Sequence, residues 1–214
     1  MQYGIPDERG LRCPYHGWLY EESGACTERP MESAKGEFKF KMKGYPVKEL
    51  GGLVFAYLGP SPAPALPRWD RLEAKRGYRT IGVHRVKANW LQCVENGPDL
   101  HHVPIAHGPY YRYYLEKNGI TDPEDIRQQL AAAFSRRYVK TGYDRTELGM
   151  ASRAVYEGTD EAHPLWSVGQ QIVFPHMSGV TVRHAGIIDT FVHFRVPIDD
   201  TATITYSYHV FEPH

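Results

Sequence analysis

Residues 89–107 read Asn-Trp-Leu-Gln-Cys-Val-Glu-Asn-Gly-Pro-Asp-Leu-His-His-Val-Pro-Ile-Ala-His, and this stretch decides how the chain is interpreted. Asp99 is followed three residues later by His102, and His107 comes five residues after that. On a helix or a helix-like turn, residues three to five apart share a face, so we expect the two imidazoles to converge. Two converging imidazoles suit a divalent iron ion, which accepts nitrogen ligands readily. The alternative is a pair of ordinary surface or core histidines.

A second motif lies upstream, where residues 13–18 read Cys-Pro-Tyr-His-Gly-Trp. The spacing of Cys13 and His16 matches one half of a Rieske iron–sulfur site, in which two cysteines hold one iron and two histidines hold the other. Cys13 would supply a thiolate to the first iron, and His16 a ring nitrogen to the second. The alternative is a buried free cysteine beside a surface histidine. The Gly-Trp context and the histidine pair downstream favour the cluster.

Together the two motifs resemble the α-subunit of Rieske non-haem iron oxygenases, and the similarity is greatest to the phthalate dioxygenase and aromatic O-demethylase branch. Two histidines and one carboxylate with open positions are typical of non-haem Fe(II) oxygenases. Supporting stretches are residues 9–12, 51–59, 89–92 and 195–200. The resemblance implies an α+β protein of the helix-grip type, in which a partial Rieske β domain is followed by an antiparallel-sheet catalytic domain with helices packed on it.

The resemblance also implies a role for each residue of the motifs. His102 and His107 would bind the mononuclear Fe(II), whereas Asp99 would not be an iron ligand. Asp99 would accept a hydrogen bond from His102 and meet the counterpart of His16 in a neighbouring subunit, which makes it an electron-transfer bridge. Trp18 would cover the [2Fe-2S] cluster and exclude water from it.

Simpler roles remain open for several of these side chains. Asp99 is also placed to cap the chain after the Gly-Pro break, and Trp18 is also suited to ordinary core packing. His101 is adjacent to a predicted ligand, so its side chain must point elsewhere and support the structure. Asn96 and Glu95 either assist the iron site or simply complete the helix.

Two parts of the family pattern are not found in the sequence. The first Rieske half-site, C-x-H, should precede Cys13, but the twelve residues there contain neither cysteine nor histidine. The family's third iron ligand is an aspartate far downstream of the histidine pair, and we expect it beyond His214. We therefore expect the chain to be an internal piece of a longer enzyme. The alternatives are an inactive fragment, pseudoenzyme or scaffold, because a cluster with half its ligands should not assemble stably.

The implied activity is that of a terminal oxygenase. Electrons from NAD(P)H would arrive through a separate reductase or ferredoxin, pass through the [2Fe-2S] cluster to Fe(II), and activate O2 toward an aromatic ring or an O-methyl group. Because the electron route crosses between subunits, a head-to-tail homotrimer is expected for the full-length protein. A Rieske-type electron carrier would stop soon after the cluster domain, and a zinc hydrolase would need an H-E-x-x-H motif, which is absent.

Composition narrows the remaining classes of function. The 214 residues include 25 basic and 25 acidic side chains, so charge provides no case for binding nucleic acid or an anionic membrane. No apolar run approaches the roughly 20 residues that a membrane span needs. The N-terminus lacks the basic region and apolar core of a signal peptide. Three scattered cysteines do not form a disulfide framework, so we expect a cytoplasmic protein.

A proline-rich stretch marks the predicted domain boundary. Residues 59–67 contain four prolines, which favour a stiff extended connector. We assign residues 1–58 to the C-terminal part of a Rieske domain, 59–69 to a linker, and 70–214 to the N-terminal part of a catalytic domain.

Local patterns predict the elements inside these domains. Residues 38–58 should form two strands, the second a buried strand opening after Gly51-Gly52. Residues 77–88 should form a strand that leads into a helix ending near Asn96. A helix is expected over 122–136, with Asp122 as its N-cap. Short β segments should follow at 136–146, 151–157, 166–174, 179–184, 190–197 and 202–211.

Overall fold

The computed structural model describes residues 3–33, 40–74, 76–184 and 187–213. The chain divides into two compact units, Met1–Glu73 and Ala74–His214. The division falls a few residues after the predicted linker. The assignment of residues 1–58, 59–69 and 70–214 to parts of named domains stays a prediction.

The first unit is made of short antiparallel strands. Four of them pair in the order β1-β2-β3-β4, and two more form a separate hairpin. The strands are β1 (Ile5–Asp7), β2 (Gly10–Arg12), β3 (Leu19–Tyr20), β4 (Cys26–Glu28), β5 (Val47–Leu50) and β6 (Leu53–Ala56). The buried side chains of β3, Leu19 and Tyr20, lie at the centre of the four-stranded sheet.

The β5–β6 hairpin turns through two glycines, as predicted. Gly51 and Gly52 have φ angles of 64° and 80°, which suit a two-residue hairpin turn and would strain other residues. The first of the two expected strands was placed too early in the chain, because the strand before the turn is β5, which begins at Val47. Phe38, where that strand was expected to start, lies outside the described residues. The expected burial of β6 is also wrong, since Val54 is 72% exposed. A hairpin paired with no further strand buries little of either face.

The second unit is built on a seven-stranded antiparallel sheet. Its strand order is β7-β13-β12-β11-β10-β9-β8. The strands are β7 (Tyr78–Val86), β8 (Tyr138–Thr146), β9 (Gly149–Tyr156), β10 (Gln170–Val173), β11 (Met177–His184), β12 (Ile187–Asp199) and β13 (Ala202–Pro213). The predicted fold class, an antiparallel sheet that carries helices, is confirmed. Among the described strands, β7 and β13 are the pair of neighbours in the sheet that are far apart in sequence.

Among the described residues, four α-helices and one π-helix accompany this sheet. They are α1 (Trp90–Glu95), the π-helix (Val103–His107), α2 (Gly108–Lys117), α3 (Ile126–Phe134) and α4 (Pro164–Ser167). Helix α1 packs against β12 and β13. Its N-cap Asn89 accepts a hydrogen bond from Leu91 N at 2.9 Å and donates one to Asp200 O at 3.0 Å, which ties the start of the helix to the β12–β13 turn. In the part of the chain that the structure describes, no helix is long and apolar enough to cross a membrane.

Three helix predictions need correction. Helix α3 begins at Ile126 with Asp125 as its N-cap, because Asp122 instead closes a separate turn by accepting Glu124 N at 2.9 Å. Helix α2 was not predicted, although Pro109 in its first turn is a typical start signal. The expected strand over 166–174 begins only at Gln170, since the preceding residues form α4.

Candidate metal centre

The two predicted iron ligands come together through the π-helix. In an α-helix, residues five apart are rotated by about 140° about the axis, so they point in different directions. In the π-helix the N–H of Gly108 donates to the carbonyl of Val103, five residues back, and this wider turn returns to the same face. His102 Nε2 and His107 Nε2 consequently lie 3.1 Å apart. The convergence is as expected, but it depends on the π-helix and not on an ordinary helical face.

Asp99 orients His102, mainly through its main chain. The Nδ1 atom of His102 lies 2.5 Å from the carbonyl oxygen of Asp99 and 3.5 Å from its carboxylate Oδ2. The other carboxylate oxygen accepts the N–H of His101 at 3.1 Å, which holds the side chain in a local cap. The nearer acceptor for His102 is therefore the carbonyl, and the predicted carboxylate contact is longer than a hydrogen bond. Either acceptor directs the Nε2 lone pair of His102 toward His107.

The pair of imidazoles fits a bound metal ion. Two nitrogens held at about 2.1 Å from one ion, at right angles, lie about 3.0 Å apart, close to the observed separation of 3.1 Å. Partial burial, and then the neighbouring His102, lower the pKa of His107, which favours the neutral form that a metal ligand must have. Among the described residues, no third His, Cys, Asp or Glu joins the pair as a potential ligand. The aspartate expected beyond His214 stays a prediction.

Several supporting side chains come from distant parts of the second unit. The Asn96 amide nitrogen lies 3.4 Å from His102 Nε2. Asn96 is also the C-cap of α1, so it completes the helix, and its role at an iron site stays a prediction. Gln170 donates to the carbonyl of Gly97 at 3.2 Å and so holds the ligand-bearing segment to the sheet. The ring of Phe134, at the end of α3, lies 5.8 Å from that of His107. Gln170 and Phe134 have no motif spacing, so no local pattern in the sequence identifies them.

The predicted cluster ligands lie on one tight loop between β2 and β3. Cys13 N donates to Trp18 O at 2.8 Å, and Gly17 N donates to Cys13 O at 2.9 Å. Gly17 has a φ of 75°, a conformation that favours glycine. His16 is exposed, and Cys13 is a half-buried free thiol. The loop thus carries both candidate ligands, and their role in a Rieske half-site stays a prediction.

Arg12 fastens this loop to the sheet, which the sequence did not reveal. Its guanidinium donates to the carbonyl of Gly17 at 2.8 Å, to Glu28 at 2.6 Å and to Asp7 at 3.0 Å. The hydrogen bond to Arg12 is also the main reason that the pKa of Glu28 is lowered. Arg12 immediately precedes Cys13, so the clamp acts directly on the candidate ligand loop.

Trp18 packs inside the first unit. Its ring lies 6.5 Å from that of Tyr20 and 6.4 Å from that of Phe40, the latter nearly edge-on at 70°. The packing role is therefore observed, and the cover over a cluster stays a prediction. The two roles are compatible, because a packed indole next to the loop also excludes water.

A second polar cluster lies on the large sheet. Arg195 donates to Thr205 Oγ1 at 3.2 Å, and its Nη2 lies 2.9 Å from His193 Nδ1. The Nε atom of Arg195 is buried without a hydrogen-bond partner in the described structure. Burial, and then the charge of Arg195, lower the pKa of His193 to about 4. The imidazole beside the guanidinium is therefore neutral. Among the residues described here, the guanidinium has no carboxylate partner.

This cluster faces the segment that carries the metal ligands. His193 pairs in register with Ser178 on β11. A Cβ placed on Gly97 would lie 3.5 Å from the Cβ of Ser178. Gly97 lies between α1 and Asp99, so the segment that leads to the histidine pair passes over the face of the sheet that carries the polar cluster. No sequence motif identified His193. The missed signal was the two-residue spacing of His193 and Arg195 on one strand, which places both on one face.

The chain is similar to several known proteins. Residues 1–48 match the model of the Rieske [2Fe-2S] domain. The chain is 35% identical to the 5,5'-dehydrodivanillate O-demethylase oxygenase subunit of Sphingobium sp. (strain NBRC 103272 / SYK-6), over 94% of this chain and 43% of the relative. It is 34% identical to the phthalate 4,5-dioxygenase oxygenase subunit of Pseudomonas putida, over 95% of this chain and 46% of the relative. The chain thus spans less than half the length of these two relatives.

A solved structure shares the fold. Pseudomonas putida CBB5 NdmA matches 98% of this chain and 56% of its own, with a TM-score of 0.64 and 20% sequence identity. At that identity the likeness shows the fold alone, whereas the sequence relatives carry the assignment. The chain belongs to the family of Rieske non-haem iron oxygenase α-subunits.

Proposed function

We propose that this chain contributes the second Rieske half-site and two iron ligands of a terminal oxygenase, which uses O2 to hydroxylate or O-demethylate an aromatic compound. The observation that carries the proposal is the 3.1 Å approach of His102 Nε2 to His107 Nε2 on the π-helix. A π-helix inside a helical segment is found frequently at functional sites. The family relationship and the metal-sized gap between the two imidazoles support the same conclusion.

His102 and His107 would hold the mononuclear iron, and a carboxylate is predicted as the third ligand. When bound, Fe(II) with open positions supplies O2 activation. The carbonyl of Asp99 orients His102, because it lies 2.5 Å from the Nδ1 atom. The Asn96 amide, 3.4 Å from His102 Nε2, is placed to donate a hydrogen bond to a group at an open position. His107 stays exposed on its outer side, so this part of the centre is accessible to a small molecule.

Cys13 and His16 would each hold one iron of a [2Fe-2S] cluster, which stores an electron for the reaction. The cysteine and histidine of the first half-site, C-x-H, are predicted, and that motif is not found among the residues described. Arg12 keeps the Cys13–Trp18 loop in its tight conformation through the carbonyl of Gly17. Trp18 would shield the cluster from water, as its contacts with Tyr20 and Phe40 hold the indole in place.

Electrons would reach the iron through Asp99. Its side chain is 52% exposed, so one side can meet a histidine of a neighbouring subunit while the other faces His102. This arrangement requires a ring, and we propose a homotrimer for the complete protein. The relatives are named as oxygenase subunits, which fits a separate reductase or ferredoxin that supplies electrons from NAD(P)H.

The substrate is proposed to be an aromatic acid. Arg195 is a half-buried cation without a carboxylate partner in the described chain, and desolvating such a charge is costly unless an anion binds. A substrate carboxylate would provide that anion. Dehydrodivanillate and phthalate, in the names of two relatives, are themselves carboxylates. The similarity to an O-demethylase favours removal of an O-methyl group over ring dihydroxylation.

Metal binding tests the proposal directly. The chain is titrated anaerobically with Fe(II), and the nitrosyl complex is followed by electron paramagnetic resonance. We expect a signal of a high-spin iron nitrosyl in the natural chain and in His101→Ala, and its loss in His102→Ala and His107→Ala. His101 is the matched control, because it adjoins His102 but lies outside the pair. Failure of the natural chain to bind iron would favour the scaffold or pseudoenzyme alternative.

A further inference from the structure

The hydrogen bond between Arg195 and His193 fixes which nitrogen of the imidazole carries the proton. Arg195 Nη2 lies 2.9 Å from His193 Nδ1. A guanidinium has five N–H donors and no acceptor, so Nδ1 must accept this bond. The neutral ring then carries its proton on Nε2. His193 is therefore held as the Nε2–H tautomer, with its donor on the side of the ring away from Arg195.

The Nε2–H donor of His193 is open to a ligand. Among the described residues, the bond to Arg195 is the one hydrogen bond that this ring makes. The buried side-chain nitrogen and oxygen atoms that lack a partner in the described chain are Ser152 Oγ and Arg195 Nε, so His193 Nε2 is not buried. An accessible donor of fixed direction suits an acceptor atom of a ligand.

The guanidinium of Arg195 is engaged by the protein itself. Its Nη1 donates to Thr205 Oγ1 at 3.2 Å, its Nη2 faces His193, and its Nε atom is buried. A positive charge that donates to Nδ1 polarises the imidazole and makes Nε2–H a stronger donor. The charge of Arg195 is thus transmitted to a ligand through His193.

Aromatic rings line the sheet beside this donor. Phe191 and His193 are two residues apart on β12 and share a face, and their rings lie 5.3 Å apart. On β13, the ring of His209 lies 5.4 Å from that of Phe191 and 5.8 Å from that of Phe211, with which it is nearly parallel at 11°. A flat ring surface next to a polarised donor suits an aromatic ligand that carries one anionic group.

We propose that His193 Nε2 donates the hydrogen bond that recognises the carboxylate of the aromatic acid, and that Arg195 acts through His193 as a positioning residue. The inference rests on the proposed function, in which this acid is the substrate. Without Arg195 the neutral imidazole could present a lone pair at Nε2, which would repel a carboxylate. The pair therefore selects the ionised acid over its neutral ester.

The surroundings keep His193 neutral. The charged and titratable groups that face the pair come from four elements: Arg195 on β12, His209 on β13, His84 on β7 and Cys93 on α1. Burial, and then the charge of Arg195, lower the pKa of His193 to about 4. Between about pH 5.5 and pH 8 the ring of the natural chain is consequently a neutral donor.

Nuclear magnetic resonance tests the tautomer in the natural chain. Histidine is labelled with ¹⁵N, and the His193 signals are identified by their absence in His193→Phe. We expect the Nε2–H tautomer at neutral pH, and a change in the chemical shift of this proton when 4-methoxybenzoate is added. The Nδ1–H tautomer, or an Nε2 signal that the acid leaves unchanged, would overturn the proposal.

Calorimetry then compares 4-methoxybenzoate with its methyl ester in His193→Phe, Arg195→Met and the control His209→Phe. His209 lies on the same face and also contacts Phe191, but neither side-chain hydrogen bond of Arg195 goes to it. We expect the affinity for the acid to fall by about tenfold in His193→Phe and in Arg195→Met. It should be unchanged in His209→Phe, and the affinity for the ester should be unchanged in all three.

The pH profile separates positioning from a merely structural role. In the natural chain the affinity for the acid should be constant between about pH 5.5 and pH 8. In Arg195→Met one cause of the lowered pKa of His193 is removed, so the ring should gain a proton and the affinity should recover as the pH falls. A flat profile in this variant, or full affinity for the acid in His193→Phe, would overturn the inference. Iron binding by the natural chain would still support the proposed function in that case, whereas loss of iron binding would contradict the proposed function separately.

Discussion

The close packing of Gly108 against α3 makes a sharp prediction for Gly108→Ala. An added Cβ would lie 2.8 Å from Ser135 Oγ, 3.1 Å from Phe134 O and 3.2 Å from Ser135 Cα. Ser135 Oγ is itself fixed, because it donates to Ala131 O at 2.7 Å. The other two close atoms, Phe134 O and Ser135 Cα, are main-chain atoms. The π-helix must therefore move away from α3, and His107 moves with it.

Two opposing effects set the size of the change. Gly108 has helical angles, φ −56° and ψ −54°, so alanine gains about 1 kcal/mol in helix propensity. Overpacking a fixed contact costs about 1–3 kcal/mol. Because all three close atoms are constrained, we expect the steric cost to prevail, with a net loss of about 1 kcal/mol in the free energy of unfolding. Displacement of His107 should weaken metal binding by about tenfold, equivalent to about 1.4 kcal/mol.

The assay is a Co(II) titration followed by visible absorbance, together with urea unfolding of the metal-free chain. Gly82→Ala is the control, because the nearest atom to its added Cβ is 3.8 Å away. Adding Ser135→Ala to Gly108→Ala should restore part of both losses. Unchanged Co(II) affinity in Gly108→Ala would refute the argument that packing against α3 sets the distance between the two histidines.

Three further predictions concern the other clusters. Arg12→Gln should speed hydrogen exchange at the Gly17 amide several-fold. The control Arg29→Gln breaks a different ion pair of the first unit and should not change this rate. Equal exchange rates in the two variants would exclude the clamp. His193 has a pKa lowered from 6.5 to about 4, so the folded state binds fewer protons than the unfolded one, and stability should fall as the pH drops from 6.5 toward 4. The loss should be about 2 kcal/mol after allowance for partial exposure, and urea unfolding of His193→Gln should show it largely abolished; an equal loss in the variant contradicts this assignment. Arg195→Gln should weaken binding of a methoxybenzoate by about tenfold or more, yet leave its methyl ester unaffected, as measured by calorimetry; equal weakening of acid and ester would argue against an acid-binding role.

Short motifs could be interpreted from the sequence because their partners are close in the chain. Cys13 and His16 are separated by two residues, and a single tight loop carries both. His102 and His107 were likewise predicted to converge. Short β segments were predicted after residue 136 from local patterns, whereas the antiparallel sheet was implied by the family resemblance. Strands joined by short turns pair with their neighbours in this way.

The sequence did not show why His102 and His107 converge. The two histidines converge through a π-helix, which is rare and is not predicted by motif spacing. The residue that follows it, Gly108, packs closely against Phe134 and Ser135, which are distant in sequence. The sequence likewise did not show that the carbonyl of Asp99 is a nearer partner of His102 than the Asp99 carboxylate is.

The sequence by itself determined which residues are the candidate ligands, namely the Cys13 and His16 pair and the His102 and His107 pair, because ligand type and spacing are local properties. Only the tertiary structure decided what holds and surrounds them. The Arg12 clamp, the contact between the rings of His107 and Phe134, and the Arg195 cluster each join side chains on different strands or helices. Such contacts arise when separate elements pack together, and the free energy of that packing depends on the whole fold and not on any one stretch of sequence.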